Sequence, residues 1–345
     1  MTSIAIVILN WNGRHYLERF LPIVEERSNR QDTVIVVADN GSTDLSVDYL
    51  KQHHPNVRLI EFDRNWGFTG GYNRALEQVD AEYFVLLNSD VEVTEGWLDP
   101  LVAHFQNHSN TGICMPKILS AYNHQMFEYA GASGGFIDFF GYPFCRGRIL
   151  TNIEEDRGQY NDSIEIFWAS GAAMMIRSSL YRQLGGFDEH FFAHMEEIDL
   201  CWRAKLTGNH VWVVPQSVVY HVGGGTLPNN SPQKLYFNFR NNLMMLYKNL
   251  PSNCLVPVLL TRMMFDGGSA IVYLLQLKFS YLRSVLKAHR DFWRSLLSLQ
   301  RSSISVEGNK RGKVRISGVY RGSIVVRFFL SFKKLTYFKI GADIT

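Results

Sequence analysis

The chain has 345 residues, of which 46% are hydrophobic and 19% charged, which is typical of a folded globular protein and argues against a disordered one. Its net charge is only +3, so the overall charge gives no reason to expect nucleic acid as a partner, and we predict none. The four cysteines are far apart and form no Cys-x-x-Cys pair, which argues against a zinc site and a redox dithiol. Since a disulfide framework is not expected at this size, we predict reduced cysteines and a cytoplasmic location.

The first ninety residues alternate between apolar runs, typical of strands covered on both faces, and segments with helical spacing. Strands are predicted at 4–9, 33–38, 57–62 and 83–87, and helices at 14–28, 43–53 and 71–78. The run at 4–9 is short and has no basic flank, so we interpret it as a buried strand and not as a signal peptide. The alternation predicts an α/β fold, with a mostly parallel sheet flanked by helices and joined by right-handed crossovers.

The rest of the chain divides into two parts. Residues 110–165 are rich in glycine and aromatic residues, and we expect loops and short strands there that shape a pocket. Further helices and a strand are predicted at 179–184, 196–206 and 211–214. Beyond Pro251 the composition changes to apolar helix mixed with Lys and Arg. The sequence therefore predicts a catalytic domain at 1–250 and a helical, basic extension at 251–345.

Polar segments, three of them containing glycine, follow the four predicted strands of the first ninety residues. They are NWNG (10–13), DNGSTD (39–44), NWGFTGGYN (65–73) and NSD (88–90). Such residues also form ordinary turns. Because ligands of open α/β sheets bind at the carboxyl ends of the strands, four such segments at one edge predict a binding site.

The residue types in these segments indicate different roles. Asp39 suits the nucleoside end of a ligand, since a carboxylate does not usefully face a pyrophosphate. The glycines between Gly67 and Gly71 allow the backbone to approach a ligand closely. Asp90, directly after a buried strand, suits a hard divalent cation such as Mg²⁺ or Mn²⁺, which bridges carboxylates and substrate phosphates.

A second cluster of candidate residues lies in the last third of the predicted catalytic domain. Glu196, Glu197 and Asp199 place three carboxylates within four positions, where they repel one another unless a cation or a substrate hydroxyl uses them. A solvated helix N-terminus, where acids are favoured by the helix dipole, is the alternative. His221 precedes a glycine-rich stretch and is a candidate ligand, although a lone histidine is usually structural.

Together these segments resemble glycosyltransferase family 2, which has the GT-A fold, and most closely its bacterial rhamnosyl- and galactofuranosyltransferase-like branch. The resemblance covers about residues 3–245. The matching stretches are VILNWNG (7–13), DNGSTD (39–44), NWGFTGGYN (65–73), LLNSDVEV (86–93), ASGAAMMIR (169–177), GGFDEHFFAHMEEIDLCWRAKLTG (185–208) and VVYHVGGGT (218–226).

The resemblance implies a role for each candidate residue. Along the nucleotide donor it places Asn10, Asn12, Asp39, Asn65, Gly70 and Asn88. Arg240 is expected near the pyrophosphate, since Arg pairs bidentately with phosphate, with a cation on a helix surface as the alternative. Asp90 matches the metal-binding last residue of the DxD motif, and His221 completes the metal site. Glu197 matches the catalytic base, with Glu196 and Asp199 as the neighbouring candidates.

Two positions depart from the family pattern. Asn88 stands in place of the first aspartate of DxD, which leaves fewer protein carboxylates for the metal. Glu197 stands where the family usually has aspartate and is one methylene longer, which alters the geometry of the base. The resemblance still implies an inverting transfer from a nucleoside-diphosphate sugar to a saccharide or lipid-linked saccharide in cell-surface polysaccharide synthesis.

The same alternation of strands and helices also occurs in proteins with other functions. A nicotinamide-dependent oxidoreductase needs G-x-G-x-x-G after the first strand, where this chain has NWNG. A sugar nucleotidyltransferase would show a glycine-rich loop with Arg and Lys at that point, and this chain does not. A non-catalytic module that binds nucleotide sugars or carbohydrates stays open as the alternative.

The extension suggests contact with a membrane surface. The charge-free runs between residues 255 and 277 are shorter than the ~18–20 residues of a spanning helix, and Arg262 and Asp266 are spaced to pair on one helix face. The following Lys and Arg are interleaved with aromatic residues, which suits a helix in the headgroup layer. We expect peripheral attachment to the anionic cytoplasmic face of the inner membrane, with an ordinary packing extension as the alternative.

Overall fold

The computed structural model describes residues 4–223, 231–301 and 316–345. The strands within these ranges are β1 (Ile4–Asn10), β2 (Thr33–Asp39), β3 (Arg58–Glu61), β4 (Tyr83–Asn88), β5 (Val91–Val93), β6 (Thr111–Ser120), β7 (Gly135–Asp138), β8 (Pro143–Cys145), β9 (Arg148–Ile149), β10 (Asn152–Ile153), β11 (Ile164–Glu165), β12 (Ala173–Arg177), β13 (His210–His221) and β14 (Val319–Tyr320). The α-helices are α1 (Arg14–Arg27), α2 (Ser46–His53), α3 (Gly67–Glu77), α4 (Leu98–Asn107), α5 (Ser178–Gln183), α6 (Glu196–Leu206), α7 (Pro232–Asn249), α8 (Ser252–Leu275), α9 (Phe279–Ser295) and α10 (Ile324–Leu330).

A central sheet organises the first 221 residues. In the described part of the chain it has nine strands, eight of them in the order β11-β13-β6-β12-β4-β1-β2-β3, while β5 pairs with β13. The half that contains β1 to β4 is parallel, as the alternation of strands and helices predicted. The other half is mixed, because β12 runs antiparallel to both β4 and β6. All four predicted polar segments therefore lie at one edge of the parallel half.

The central strands are apolar on both faces because helices cover both sides of the sheet. In β1 the residues from Ile4 to Ile8 are almost completely buried. Helix α1 packs its apolar stripe into the same core, with Leu17, Phe20, Leu21 and Val24 buried at helical spacing. Strand β6 was missed by the sequence analysis, which expected only loops and short strands there. Nine of its ten residues are buried, so its sequence lacks the alternation of apolar and polar residues that marks a half-exposed strand.

A smaller sheet in the described residues has the strand order β10-β9-β8-β7-β14. Four of its strands come from the glycine- and aromatic-rich region, as the prediction of short strands implied. The fifth, β14, comes from the C-terminal segment and runs parallel to β7. The backbone NH of Ile324, at the start of α10, donates to the buried carboxylate of Asp138 at the end of β7 (2.9 Å).

The predicted boundary at residue 250 does not separate two bodies. The segment 316–345 contributes a strand and several buried side chains to the same core as the catalytic part, including Ile324, Phe328 and Ile340. Helices α8 and α9 pack on α7 and on each other. The C-terminal region is helical, as predicted, but its last described segment belongs to the main body.

This packing predicts different effects for two neighbouring substitutions near the C-terminus. Ile340→Ala should lower the free energy of unfolding by about 2–4 kcal/mol, because Ile340 is fully buried and its removal leaves a cavity. Phe338→Ala is the matched control and should change it by less than ~0.5 kcal/mol, since Phe338 is 88% exposed. Urea denaturation of the full chain measures both. Equal stability of the two variants would contradict the packing of the C-terminal segment on the core.

Candidate active site

A cleft of about 790 Å³ opens at the carboxyl ends of β1 and β4. Its walls come from the polar segments after the strands, from the start of α6, from the end of β13 and from the start of α7. The sequence-predicted residues that line it are Asn12, Asn65, Asn88, Asp90, Glu196, Glu197 and His221. A second pocket, of about 380 Å³, lies between residues 320–322 and 342–345 and contains none of the predicted site residues.

Glu196 and Glu197 begin helix α6 and face the cleft. Glu196 is buried and Glu197 is partly buried, and the Oε2 atom of each has no hydrogen-bond partner among the described residues. Burial raises the pKa of Glu197 to about 7. Burial, together with the charge of Glu197, raises the pKa of Glu196 well above its usual value. A partly exposed carboxyl group with a pKa near neutrality is suited to accept a proton from a substrate.

The loop before α6 has a strained backbone. Phe192, His194 and Met195 all have positive φ angles (64°, 70° and 73°), a conformation that non-glycine residues rarely adopt. Asn241 on α7 stabilises this loop: its Nδ2 donates to the carbonyl oxygens of Ala193 (2.8 Å) and His194 (2.7 Å) and to a third carbonyl of the loop. Strain of this kind persists only where the surrounding structure holds it.

Arg240 takes part in the same support. Its Nη2 donates to the carbonyl oxygens of His190 and Phe191, both at 3.0 Å, and its Nε donates to the side chain of Asn241. Arg240 does not line the cleft. The structure therefore corrects the prediction that Arg240 approaches the pyrophosphate: its guanidinium is used to hold the loop. Lys234, at the start of α7, lines the cleft instead.

Asp199 is completely buried and lies away from the cleft. Its carboxylate accepts hydrogen bonds from Arg203 Nε (2.7 Å), Asn249 Nδ2 (2.7 Å) and Lys248 Nζ (3.2 Å). These contacts join α6 to α7 and compensate the buried charge. The placement of Asp199 among the catalytic candidates is thus corrected, since its oxygens serve as a structural anchor.

Asp90 and His221 come together at the cleft, as predicted. His221 Nε2 lies 3.2 Å from Asp90 Oδ1, and both residues are buried. The sequence analysis missed a third member, Glu128, whose Oε2 lies 3.5 Å from His221 Nδ1. Burial opposes a charge on His221, but the attraction of Glu128 and Asp90 outweighs it and raises the pKa of His221 to about 10. Burial would raise the pKa of Asp90, yet the neighbouring His221 brings it below its usual value.

The donor set at this position fits a divalent cation that has few protein ligands. Within the residues that the structure describes, no group of three His, Cys, Asp or Glu side chains is arranged to hold a metal ion. Asp90 and His221 would supply two ligands, His221 after release of its proton, which metal binding requires. Donor phosphates and water would complete the coordination, as is common for Mg²⁺. Glu128 contacts the other nitrogen of His221, the position from which a carboxylate orients a ligating histidine.

The predicted nucleoside-binding residues divide into two layers. Asn12 and Asn65 line the cleft, whereas Asn10 and Asp39 are buried beneath it. Asp39 accepts from Asn10 Nδ2 (2.9 Å) and from the backbone NH of Ser42 (2.8 Å). Asp39 and Asn10 thus shape the loop after β2.

The glycine positions of the NWGFTGGYN segment differ in their surroundings. Gly70 lies within α3 and does not line the cleft, contrary to its prediction as a binding residue. Gly67 does line it, has a φ of +74°, and has space for no Cβ because that atom would lie 2.5 Å from the ring of Phe192. Of the glycine-rich stretch after His221, only Gly223 lies within the described residues.

Comparison with known proteins identifies the family. The sequence model of the family described as Glycosyl transferase family 2 matches residues 5–185. The N-acetylglucosaminyl-diphospho-decaprenol L-rhamnosyltransferase of Mycobacterium tuberculosis is 29% identical over 237 residues, covering 64% of this chain and 76% of the relative. The rhamnosyltransferase WbbL of Escherichia coli is 24% identical over 229 residues, covering 63% and 83%.

Solved structures show the same fold. TarS of S. aureus in complex with UDP-GlcNAc superposes with a TM-score of 0.55 at 15% identity, covering 83% of this chain and 81% of that chain. The mannosyltransferase PcManGT of Pyrobaculum calidifontis, with GDP-Man and Mn²⁺, gives a TM-score of 0.52 at 13% identity, covering 84% and 87%. Since the family model spans more than half of the chain, the protein belongs to glycosyltransferase family 2 and is a glycosyltransferase with the GT-A fold.

Proposed function

We propose that the protein transfers a hexosyl or rhamnosyl unit, with inversion, from a nucleoside-diphosphate sugar to a lipid-linked saccharide, and that it requires Mg²⁺ or Mn²⁺. The observation that carries this proposal is that Glu197 lines the same cleft as the Asp90–His221 pair. One group suits the proton of an acceptor hydroxyl, and the other suits the diphosphate of a donor. In an inverting displacement the base activates the attacking hydroxyl and the cation stabilises the leaving diphosphate, so both groups must lie near the same anomeric carbon.

The relatives support this choice of substrates. The M. tuberculosis relative is named as an L-rhamnosyltransferase, and its name gives N-acetylglucosaminyl-diphospho-decaprenol, a lipid-linked sugar. TarS and PcManGT were solved with nucleotide sugars, and PcManGT also with Mn²⁺. Because this chain covers 76% of the rhamnosyltransferase, the similarity extends over most of that enzyme.

In the proposed reaction, Glu197 accepts the proton of the acceptor hydroxyl as general base. The hydroxyl oxygen forms a bond to the anomeric carbon while the opposite bond, to the diphosphate oxygen, breaks and releases the nucleoside diphosphate. Asp90 and His221 would hold the divalent cation, which supplies Lewis-acid stabilisation of the charge on the departing diphosphate. Lys234 adds a positive charge to the same wall of the cleft. The rest of the rate enhancement would come from positioning in a preorganised cleft.

The base assignment predicts the effect of Glu197→Gln. The amide keeps the shape of the side chain but accepts no proton, so transfer should fall by on the order of 10²–10⁴-fold. The Kd of the donor should change little. Single-turnover transfer and calorimetric donor binding measure the two quantities, and Glu77→Gln, on the exposed end of α3, is the matched control that should transfer normally.

The stability of the same variant rules out unfolding as the cause. Because burial raises the pKa of Glu197 in the folded state, the carboxylate makes the protein less stable as pH rises from its unfolded value near ~4.3 to about 7. The neutral amide avoids this cost, so Glu197→Gln should unfold at a temperature no lower than wild type at pH 8. Transfer at a near wild-type rate would show that Glu196 or another group is the base.

The cation site predicts dependence of donor binding on a divalent metal. EDTA should abolish transfer, and Mg²⁺ or Mn²⁺ should restore it. In calorimetric titrations with UDP, GDP and dTDP, added Mn²⁺ should tighten binding of the preferred nucleotide in wild type. Asp90→Ala should lose that metal effect, because one of the two protein ligands is removed.

Glu128→Gln provides a graded comparison. It should weaken the Mn²⁺ effect by roughly 10–100-fold, the usual cost of removing a residue that orients a metal ligand. The Kd of the nucleotide without metal should stay at the wild-type value. Full activity in EDTA would contradict the cation site and leave Lys234 as the main group that stabilises charge.

A further inference from the structure

Helix α8 has its charged residues inside and its apolar residues outside. Arg262 and Asp266 are almost completely buried. The opposite side of the helix carries a row of exposed apolar side chains at spacings of four and seven residues: Val256, Leu260, Met264, Ile271 and Leu275, each 56–77% exposed. A helix on the surface of a soluble protein has the reverse arrangement, with the apolar stripe toward the core.

The buried charges fix this orientation. Arg262 Nε donates to Asp266 Oδ1 (2.8 Å), which confirms the pairing predicted from their spacing, and Arg262 Nη1 donates to Asn242 Oδ1 on α7. The guanidinium lies 3.8 Å from the ring centre of Tyr142. Asp266 Oδ2 lies 3.1 Å from His289 Nε2 on α9. If α8 rotated about its axis to bury the apolar row, these contacts would break. Loss of the partners of a buried charge is strongly destabilising.

The apolar surface continues from α8 onto the C-terminal segment. Phe265 of α8 packs against Phe140 (5.6 Å between ring centres), and the backbone NH of the neighbouring Phe139 donates to the carbonyl of Gly322, just before α10. Phe139 is itself 45% exposed. The C-terminal segment has exposed apolar residues on α10 and its flank: Val326, Phe329, Leu330, Phe332 and Phe338. We call the exposed row of α8, Phe139 and these five residues the apolar face.

Charge around the apolar face favours an anionic partner. Residues 251–345 hold sixteen Lys and Arg against four Asp and Glu, a net charge of +12, whereas residues 1–250 carry −9. Exposed lysines follow both helices of the face, Lys278 after α8 and Lys333 and Lys334 after α10. Neither α8 nor α10 has an exposed acidic residue. Apolar side chains bordered by cations are the pattern of an element that lies in the interface of an anionic bilayer.

We propose that the apolar face docks into the boundary between headgroups and acyl chains of an anionic membrane, with α8 in the membrane plane. By length and composition α8 could cross a membrane, and it is the one helix of the described residues that could. However, α7 and α9 pack along it, and α9 exposes Lys287, Arg290 and Arg294, which a spanning arrangement would place in hydrocarbon. All four cysteines are free, which suits the cytoplasmic leaflet.

The apolar face differs from the membrane contact expected from sequence. That expectation relied on the basic and aromatic residues of α9 and the tail. Val285, Ala288 and Phe292 of α9 are buried against protein, which leaves Phe279, Leu286 and Trp293 as its exposed large apolar side chains. The tail residues Lys310, Arg311, Lys313 and Arg315 lie outside the described residues.

The docked orientation brings the cleft close to the bilayer. Arg262 lines the cleft from the inner side of α8, so the outer side lies about one helix diameter, ~10 Å, away. A saccharide on a lipid diphosphate could reach the cleft over that distance. This last step rests on the proposed function, whereas membrane docking itself does not.

Vesicle flotation tests the proposal. Full-length protein should float with phosphatidylcholine–phosphatidylglycerol vesicles and partly resist release by 1 M salt, because apolar insertion is not screened. The double variant Leu260→Asp, Met264→Asp should float at least ~10-fold less, since two inserted apolar side chains are lost. Tyr122→Asp, which adds one carboxylate at a 79% exposed side chain outside the face, should float like wild type.

Three results would overturn the proposal. They are wild-type protein that stays in the soluble fraction, complete release by 1 M salt, and a double variant that floats normally. Light scattering without vesicles tests whether a second copy of the chain covers the apolar face instead. A wild-type dimer together with a monomeric double variant would show that the face is a protein interface. Transfer to a soluble acceptor should be equal in wild type and the double variant. If neither protein transfers sugar, that result contradicts the proposed function and leaves the docking proposal unaffected.

Discussion

The buried carboxylate of Asp199 fixes helix α6 against helix α7, and the position of the two cleft glutamates depends on it. Asp199 receives hydrogen bonds from Arg203 on its own helix and from Lys248 and Asn249 at the end of α7. Farther along α7, Asn241 holds the strained loop that leads into α6. Because both supports come from α7, they fix the position of the start of α6. Its first two residues, Glu196 and Glu197, therefore face the cleft.

Two opposite electrostatic environments meet in this cleft. On one side, Glu196 and Glu197 form no ion pair within the described residues, and burial raises their pKa values, which makes them better proton acceptors. On the other side, Asp90 and Glu128 flank His221, and this charge pairing keeps Asp90 ionised and ready for a cation. Because the pKa values of the glutamates are raised and that of Asp90 is lowered, one cleft can accept a proton and bind a cation with its diphosphate at the same pH.

Sequence motifs predicted the sheet edge, the family and the pairing of Asp90 with His221, because these depend on the order of strands and on short segments that follow them. Side-chain direction was harder to predict. Asp199 is two positions after Glu197, about 200° further around the helix, and so points into the protein. Arg240 was expected at the pyrophosphate, but its guanidinium holds the backbone of a neighbouring loop. Glu128 lies in an irregular segment with no pattern, and β14 pairs across more than 180 residues, so neither leaves a local signal.

The pH dependence of single-turnover transfer tests the central claim, that burial makes Glu197 the base. With saturating donor and metal, the wild-type rate should rise about tenfold per pH unit below pH 7 and level off above it, because the carboxylate must be ionised. The residual rate of Glu197→Gln should lack this limb. A wild-type rate that is flat from about pH 5.5 to 8.5, or a limb that persists in Glu197→Gln, would contradict the account.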